Sequence, residues 1–358
     1  MKRCLVFLEL VALLFASPLF AQISIPEIPF DSVGNILKPL PDGLAQGEPS
    51  GVAVNSRGHI FVVCRCGDVQ LTTGTSRAFM RGYGRLREYD QNGTFIREVG
   101  KNVYSMVWPE RVRVDPQDNI WVMDSGAHVI TKFDPDLHIV MVLGRRPEAV
   151  EVPAEPESGL TPPGFGAGIP GDNFDRPTDV AWDSAGNIFV NDGHGHKSHA
   201  RIVKFDKDGR FLRSWGSKGN GQGEFDTPHS VQVDAKGNVY VADRSNGRIQ
   251  IFDNDGNFKT EWYHQGTPFA LCITQGPHQY LYSMFANFPQ EIVNGEIYKM
   301  ELDGTIVGKF GKSGKGLDDF GTGHSLACSY TNENEVYVSE FMAWRVHKVV
   351  LHPEKMAK

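Results

Sequence analysis

Disulfides cannot be the framework of this chain. It has 358 residues and five cysteines, one of which, Cys4, lies in the N-terminal apolar stretch. A small cystine-stapled scaffold is excluded, and the fold must rest on buried apolar side chains. Long apolar runs are also missing after the first 21 residues, so no later stretch could span a membrane as a helix. Basic charge is in short supply. Lys and Arg number 36 against 43 Asp and Glu, and a formal net charge of −7 argues against nucleic acid as a partner.

The first 21 residues read as a secretory signal peptide. Lys2 and Arg3 precede an apolar core over residues 4–15, and Ala21 offers a small residue before Gln22. The expected location is therefore secreted or periplasmic, in an oxidising compartment. Cys4 comes too early to carry a lipid. Cys64 and Cys66, two apart near a strand end, read as a bridge or as a thiol pair. Cys272 and Cys328 sit one register apart in their repeats and are expected to face opposite ways. Four unpaired structural thiols are the expectation.

What the chain has in abundance is one repeated unit, clearest over residues 227–263. Four apolar runs of about five residues, SVQV, VYVA, RIQIF and FKTEW, are separated by Asp/Gly/Asn turn clusters. Six copies follow one another, with leading residues at Pro49, Pro109, Pro177, Pro228, Pro268 and Gly323. A period of about 40 residues with four strands per unit is the signature of propeller blades. The sixth copy stops after its third strand, and residues 30–40 (FDSVGNILKPL) match the missing fourth. The expected fold is all-β: a six-bladed propeller over residues 22–358, with an N-terminal closing segment at 23–48. Closure removes exposed sheet edges.

Inserts at residues 66–85, 145–176, 194–200 and 286–295 all belong to one rim, because second-to-third loops and blade-to-blade connections share a face. Long loops on one rim of a rigid scaffold point to a binding or catalytic site there. The residue after each leading position reads Ser50, Glu110, Thr178, His229, Phe269 and His324 round the ring. Metal-ligand types occupy alternate blades, so Glu110, His229 and His324 are candidates to converge on the axis around zinc or another divalent metal. The competing reading has the histidines capping the channel mouth and Glu110 paired with an Arg such as Arg111.

At the ends of the second strands stand Asp124, Asp192, Asp243 and Glu340, read as turn formers that accept backbone N–H bonds. Arg65 and Arg244 follow in opposite blades. They are candidates to hold a carboxylate across the mouth or, alternatively, to form ordinary surface ion pairs. His194, His196 and His199 crowd one insert. A neutral imidazole there could serve as a general base, and a solvated loop cluster is the other reading.

At Gly237 to Phe252 the phrase GNVYVADRSNGRIQIF resembles the consensus of the NHL-repeat propellers. Together with PTDVAW from Pro177, TPHSVQV from Thr227 and the His324 blade, it is similar to the peptidyl-α-hydroxyglycine α-amidating lyases. The resemblance implies a six-bladed ring with an axial zinc held by three histidines. His229 and His324 match two of them, and Glu110 stands at the third. Arg65 matches the family's catalytic Arg, with Cys66 an extra residue before the shared Gly-Asp. Arg244 matches its substrate-contacting Arg, and His194 stands where the family has a catalytic Tyr. Calcium, which the family holds through an Asp after the last His, is less expected because Ser325 stands there.

The resemblance implies a lyase that cleaves a carbinolamide into an amide and glyoxylate, with Arg65, His194 and Arg244 as catalytic residues. The alternative is a non-catalytic propeller gripping a ligand or protein. A lactonase-type hydrolase would need a carboxylate-rich mouth that Glu110 alone does not supply. A small molecule or peptide on the long-loop face is the expected partner, and a monomer the expected state.

Overall fold

The computed structural model describes residues 25–356 except 42–43, 45, 67–83, 104, 146–172, 196–197, 264–265, 288–291, 315, 322 and 342. The expected leader, most of the two longest inserts and His196 lie outside the described residues.

Within them, 24 strands form six antiparallel sheets of four. Blade 1 comprises Glu48–Val54, Ile60–Arg65, Gly84–Tyr89 and Phe95–Val99. Blade 2 runs through Pro109–Val114, Ile120–Asp124, Val129–Phe133 and Ile139–Gly144. Blades 3, 4 and 5 start with Pro177–Trp182, Pro228–Val233 and Thr267–Ile273. Blade 6 takes Gly323–Cys328, Glu335–Glu340 and Arg345–Leu351 from the end of the chain and Phe30–Val33 from its beginning. Phe30 pairs with Leu351 and Val33 with Lys348, so the N-terminal strand completes the last blade as expected. The first strands touch in sequence round the ring, and that of blade 6 touches that of blade 1.

The turns explain why the units fold alike. Asp234 Oδ1 accepts the backbone N–H groups of Lys236 and Asn238 at 2.9 and 2.8 Å, and Gly237 takes φ +82°. Asp183 does the same for Ala185 and Asn187 at 3.0 and 2.9 Å. The side chain thus replaces a backbone partner in the tight turn, and only the glycine position must be left-handed.

There is no single core. Six apolar clusters lie between neighbouring blades, for example Val203 and Phe205 of blade 3 with Trp121 and Ile130 of blade 2, or Val231, Val239 and Val241 of blade 4 with Phe189 and Ile202 of blade 3. Inner strands are buried on both faces. The outermost strand of blade 3, Phe211–Trp215, is largely exposed.

The second-strand carboxylates hold the blades together. Asp124 accepts backbone N–H groups from Val107 and Trp108 at 2.5 and 2.8 Å. Asp192 takes Asp175 N at 2.8 Å, and Asp243 takes Asp226 N at 2.7 Å. Each accepts N–H groups from the connection that enters its own blade's first strand, which bears out their reading as acceptors of backbone N–H bonds. Glu340 binds Arg345 and the buried His347, much as Asp192 binds Arg201 and the buried His199.

The cysteine expectation fails. Cys272 and Cys328 are bridged, with Cα atoms 5.8 Å apart, and Cys64 bridges Cys66. Cys328 is the last residue of its strand. Cys328 shares its strand face with Leu326, two residues earlier, and in the ring that face packs against the face of blade 5 that carries Cys272, so side chains facing opposite ways on neighbouring blades meet. The resulting 56-residue separation corresponds to a loop-entropy gain of about 4 kcal/mol at most.

Candidate functional site

The ring position that follows each leading residue forms one layer around the axis. Ser50 Oγ donates to Pro109 O at 2.7 Å, and Thr178 Oγ1 donates to Pro228 O at 3.3 Å. His229 Nδ1 donates to Phe269 O at 2.7 Å, and His324 Nδ1 to Ser50 O at 2.7 Å. In each case the side chain reaches the first strand of the next blade. Because a carbonyl can only accept, both imidazoles carry their proton on Nδ1. Their Nε2 atoms therefore hold bare lone pairs when the rings are neutral.

Those lone pairs point at Glu110. Glu110 Oε1 lies 3.1 Å from His324 Nε2 and 3.4 Å from His229 Nε2. The ligand atoms of Glu110, His229 and His324 all fall within 4.8 Å of one another, and all three residues are buried. The structure thus brings together the three residues singled out by ring position. Glu110 Oε1 and His229 Nε2 have no hydrogen-bond partner. Acceptor atoms buried face to face need a cation between them. Two imidazole nitrogens and a carboxylate oxygen fit zinc or a related divalent ion.

The competing reading holds in part: both histidines hydrogen-bond to neighbouring backbone and Glu110 pairs with an arginine, though not with Arg111. The partner of Glu110 is Arg65, whose Nη2 donates to Glu110 Oε2 at 2.6 Å while Nε donates to Pro109 O at 3.3 Å. The Arg65 guanidinium lies 4.1 Å from the centroid of the Trp108 ring. Burial pushes the Glu110 carboxyl up, but the charges of His324, Arg65 and His194 outweigh it and hold the group well below the usual range. Burial, with Arg244 and Arg111 nearby, drives the His229 pKa well down, so this ring is neutral at pH 7.

His194 and Arg244 complete the mouth. His194 Nε2 is 3.9 Å from Glu110 Oε1, and its ring centroid is 5.4 Å from that of His229. About a third of its side chain (32%) remains open to the mouth. Close packing, and then the charges of Arg244, Arg176 and Arg65, nevertheless outweigh Glu110 and lower its pKa to about 4. Arg244 lies over Phe269, 4.3 Å from the ring centroid. The solvated-loop reading fails for His199, which is buried with Nδ1 on Asp192 Oδ2 at 2.7 Å.

The His194 shift has a measurable consequence. In metal-free protein its imidazole should titrate by NMR near pH 4 instead of near 6.5, and a midpoint above 6 would contradict the geometry. The unfolded chain binds a proton that the folded one refuses. Stability from this group is therefore full above about pH 6.5 and declines as pH falls toward 4.

Below this layer the channel is plugged. Arg113 Nε and Nη2 grip Asp179 at 2.8 and 2.6 Å, and the same guanidinium donates to Leu326 O and Leu271 O at 3.0 Å each. Ser230 Oγ donates to Asp179 Oδ2 at 2.6 Å. One ion pair thus ties blades 2 to 6 together on the axis. Arg111, fully buried beside it, has its pKa lowered to about 10 by burial. A cavity of about 280 Å³ opens on the far side, lined by Arg113, Ala53, Ala181, Gln232, Cys272 and Ala327 among others. Sequence reading missed this plug, as it missed the ring platforms Trp108 and Phe269.

Residues 176–339 match a family described as 6-bladed beta-propeller. The chain is 31% identical over 211 residues to a probable peptidyl-alpha-hydroxyglycine alpha-amidating lyase of Caenorhabditis elegans, spanning 56% of this chain and 54% of that protein. It is 28% identical over 339 residues to peptidyl-alpha-hydroxyglycine alpha-amidating lyase 1 of Drosophila melanogaster, 85% of this chain and 57% of that one. With the peptidylglycine alpha-amidating monooxygenase of Rattus norvegicus it shares 31% identity over 220 residues, 57% of this chain but 20% of that protein. The chain therefore spans from a fifth to little more than half of these relatives. Among solved structures, a gluconolactonase from Xanthomonas campestris superposes with a TM-score of 0.56 at 12% identity, covering 92% of this chain and 96% of the other. That likeness concerns the fold alone. The chain is thus a six-bladed β-propeller similar in sequence to amidating lyases at about 30% identity.

Proposed function

We propose that this propeller is an exported, metal-dependent lyase acting on carbinolamides of the form N–CH(OH)–COO⁻ and releasing an amide and glyoxylate. The observation that carries the reading is the buried convergence of Glu110 Oε1, His229 Nε2 and His324 Nε2, a donor set that fits a divalent cation. Similarity to amidating lyases over most of the chain supports the reaction class.

A divalent ion such as zinc held by these three side chains would supply a Lewis acid for the substrate hydroxyl or carboxylate. Calcium fits two imidazoles poorly, and Ser325 beside His324 offers no carboxylate. The chain's own residues do the rest. Arg244 lies at the mouth, where its guanidinium can hold the substrate carboxylate, while Arg65, engaged by Glu110, Pro109 O and the Trp108 ring, holds the Glu110 carboxylate in place. The neutral His194 accepts the hydroxyl proton as the C–N bond breaks. Returning that proton to the leaving nitrogen balances the step, giving R–CO–NH₂ and OHC–COO⁻. The plug of Arg113 and Asp179 closes the floor, so substrate and products use the long-loop rim.

The test is glyoxylate release from α-hydroxyhippurate by zinc-loaded protein, compared with His194→Ala. General-base loss should lower kcat by about 10²–10⁴-fold. No turnover by fully loaded protein would overturn the lyase reading and favour a ligand-binding propeller.

A further inference from the structure

We propose that the Cys64–Cys66 disulfide is a positioning element for Arg65, and that its oxidation state sets the affinity of the axial site for a divalent cation. The inference rests on reading Glu110, His229 and His324 as the metal ligands.

The bridge closes over a single residue, and that residue is Arg65. Cys64 is completely buried within the strand Ile60–Arg65, while Cys66 follows the strand and is half-buried. Arg65 spends its guanidinium on the outer oxygen of Glu110, the carbonyl of Pro109 and the face of Trp108. Its Nη1 also lies 4.0 Å from Glu48. The orientation of a metal-ligand carboxylate thus depends on one side chain whose backbone is held on both flanks by a covalent link.

A second contact pins the same point. Gly47, at φ +68°, approaches so closely that a Cβ there would fall 2.1 Å from Cys66 Cβ and 2.6 Å from Cys66 Cα. The entering strand pairs Glu48 with Arg65 and Pro49 with Cys64. Cys66 is therefore wedged between its bridge and the segment that leads into blade 1. If the bridge opens, the wedge alone must keep the backbone after Arg65 in place, where the strand ends and an insert begins.

The chemistry needs an external dithiol or phosphine reductant. A dithiol thiolate attacks Cys66 Sγ, the Cys64 sulfur leaves, and the reductant's second thiol resolves the mixed disulfide. Two electrons and two protons pass to Cys64 and Cys66, and the reductant ends as its own disulfide. The other bridge, Cys272–Cys328, lines the opposite mouth beyond the Arg113 plug.

The experiment measures the Kd for zinc by competition, using the full chain with Cys272→Ser/Cys328→Ser so that one bridge remains. Reduction with a phosphine should weaken binding by about 10–100-fold, the usual cost of losing an outer-shell partner. Cys66→Ser should bind as weakly without reductant and stop responding to it. With Arg65→Ala, reduction should no longer change the Kd, because the bridge acts through that side chain. A simple packing role would leave the response intact in that background. A Kd unchanged or tightened by reduction overturns the proposal, as does a full response without Arg65. Absence of zinc binding by the oxidised protein would instead remove the metal reading beneath it.

Discussion

Glu110→Gln should purify without its axial cation, whereas the unaltered protein, prepared without chelator, should carry about one zinc per chain by elemental analysis. The substitution keeps the volume of a fully buried side chain and removes only its charge. It converts the one anionic ligand into a weak carbonyl donor and leaves two neutral imidazoles to hold a dication. The loss should exceed the 10–100-fold cost of removing an outer-shell partner, because a ligand itself is lost. Glu110→His restores a three-imidazole set and should keep the ion while stranding Arg65, whose side chain is only 8% exposed. Zinc retained at full stoichiometry by Glu110→Gln would place the cation elsewhere.

The second large effect is on stability. Asp179→Ala removes the carboxylate that takes two hydrogen bonds from Arg113 and one from Ser230, with Arg111 Nε 3.9 Å away. Two guanidinium groups would remain on the axis with no counter-charge in that layer. Breaking such a buried pair costs about 3–5 kcal/mol, and the thermal midpoint should fall by roughly 6–20 °C. Asp179→Asn keeps the shape and should fall between. A midpoint within a degree or so of the parent, where about 1 kcal/mol moves it by 2–4 °C, would mean that the plug contributes little. Burial raises the Asp179 carboxyl, but Arg113 and Arg111 more than reverse this and leave its pKa lowered. Its contribution is therefore present above the unfolded value of 3.8 and fades as pH drops through the lowered folded value.

The ring and its axial triad were legible because repetition supplies equivalent positions for comparison. Glu110, His229 and His324 share one position in three blades, and in the fold that position meets at the axis. The plug was missed because a deeper position was not compared. Four residues after each leading residue the chain reads Ala53, Arg113, Ala181, Gln232, Cys272 and Ala327, one long cation among mostly small neighbours. Small side chains round a single arginine are what a plugged axis requires, so the signal was present.

Other features lie beyond a linear reading. That Arg65 spends itself on Glu110 depends on rotamers and on the twist between two blades. The pairing of Cys272 with Cys328 depends on which faces of neighbouring blades are packed together in the ring. His199 shows a related limit. Its surroundings suggested solvent, but one carboxylate at the end of the preceding strand draws it inside.

The strand Phe30–Val33 has a consequence for the order in which the molecule can form. Five blades are made from contiguous sequence and can assemble as soon as their own residues are available. The sixth cannot. Asp31 and His352, 321 positions apart, must meet before the ring shuts. The entropy of bringing distant ends together rises by only about 0.6 kcal/mol per doubling of length, so distance is a modest thermodynamic burden. The delay is the larger matter. Until both ends are present, the outer edge of Arg345–Leu351 stays bare, and bare edges invite pairing with other chains. A chain cut short before its last strand would hold five finished blades and an unlatched seam. Closure of the ring thus waits until the strand Arg345–Leu351 has been made.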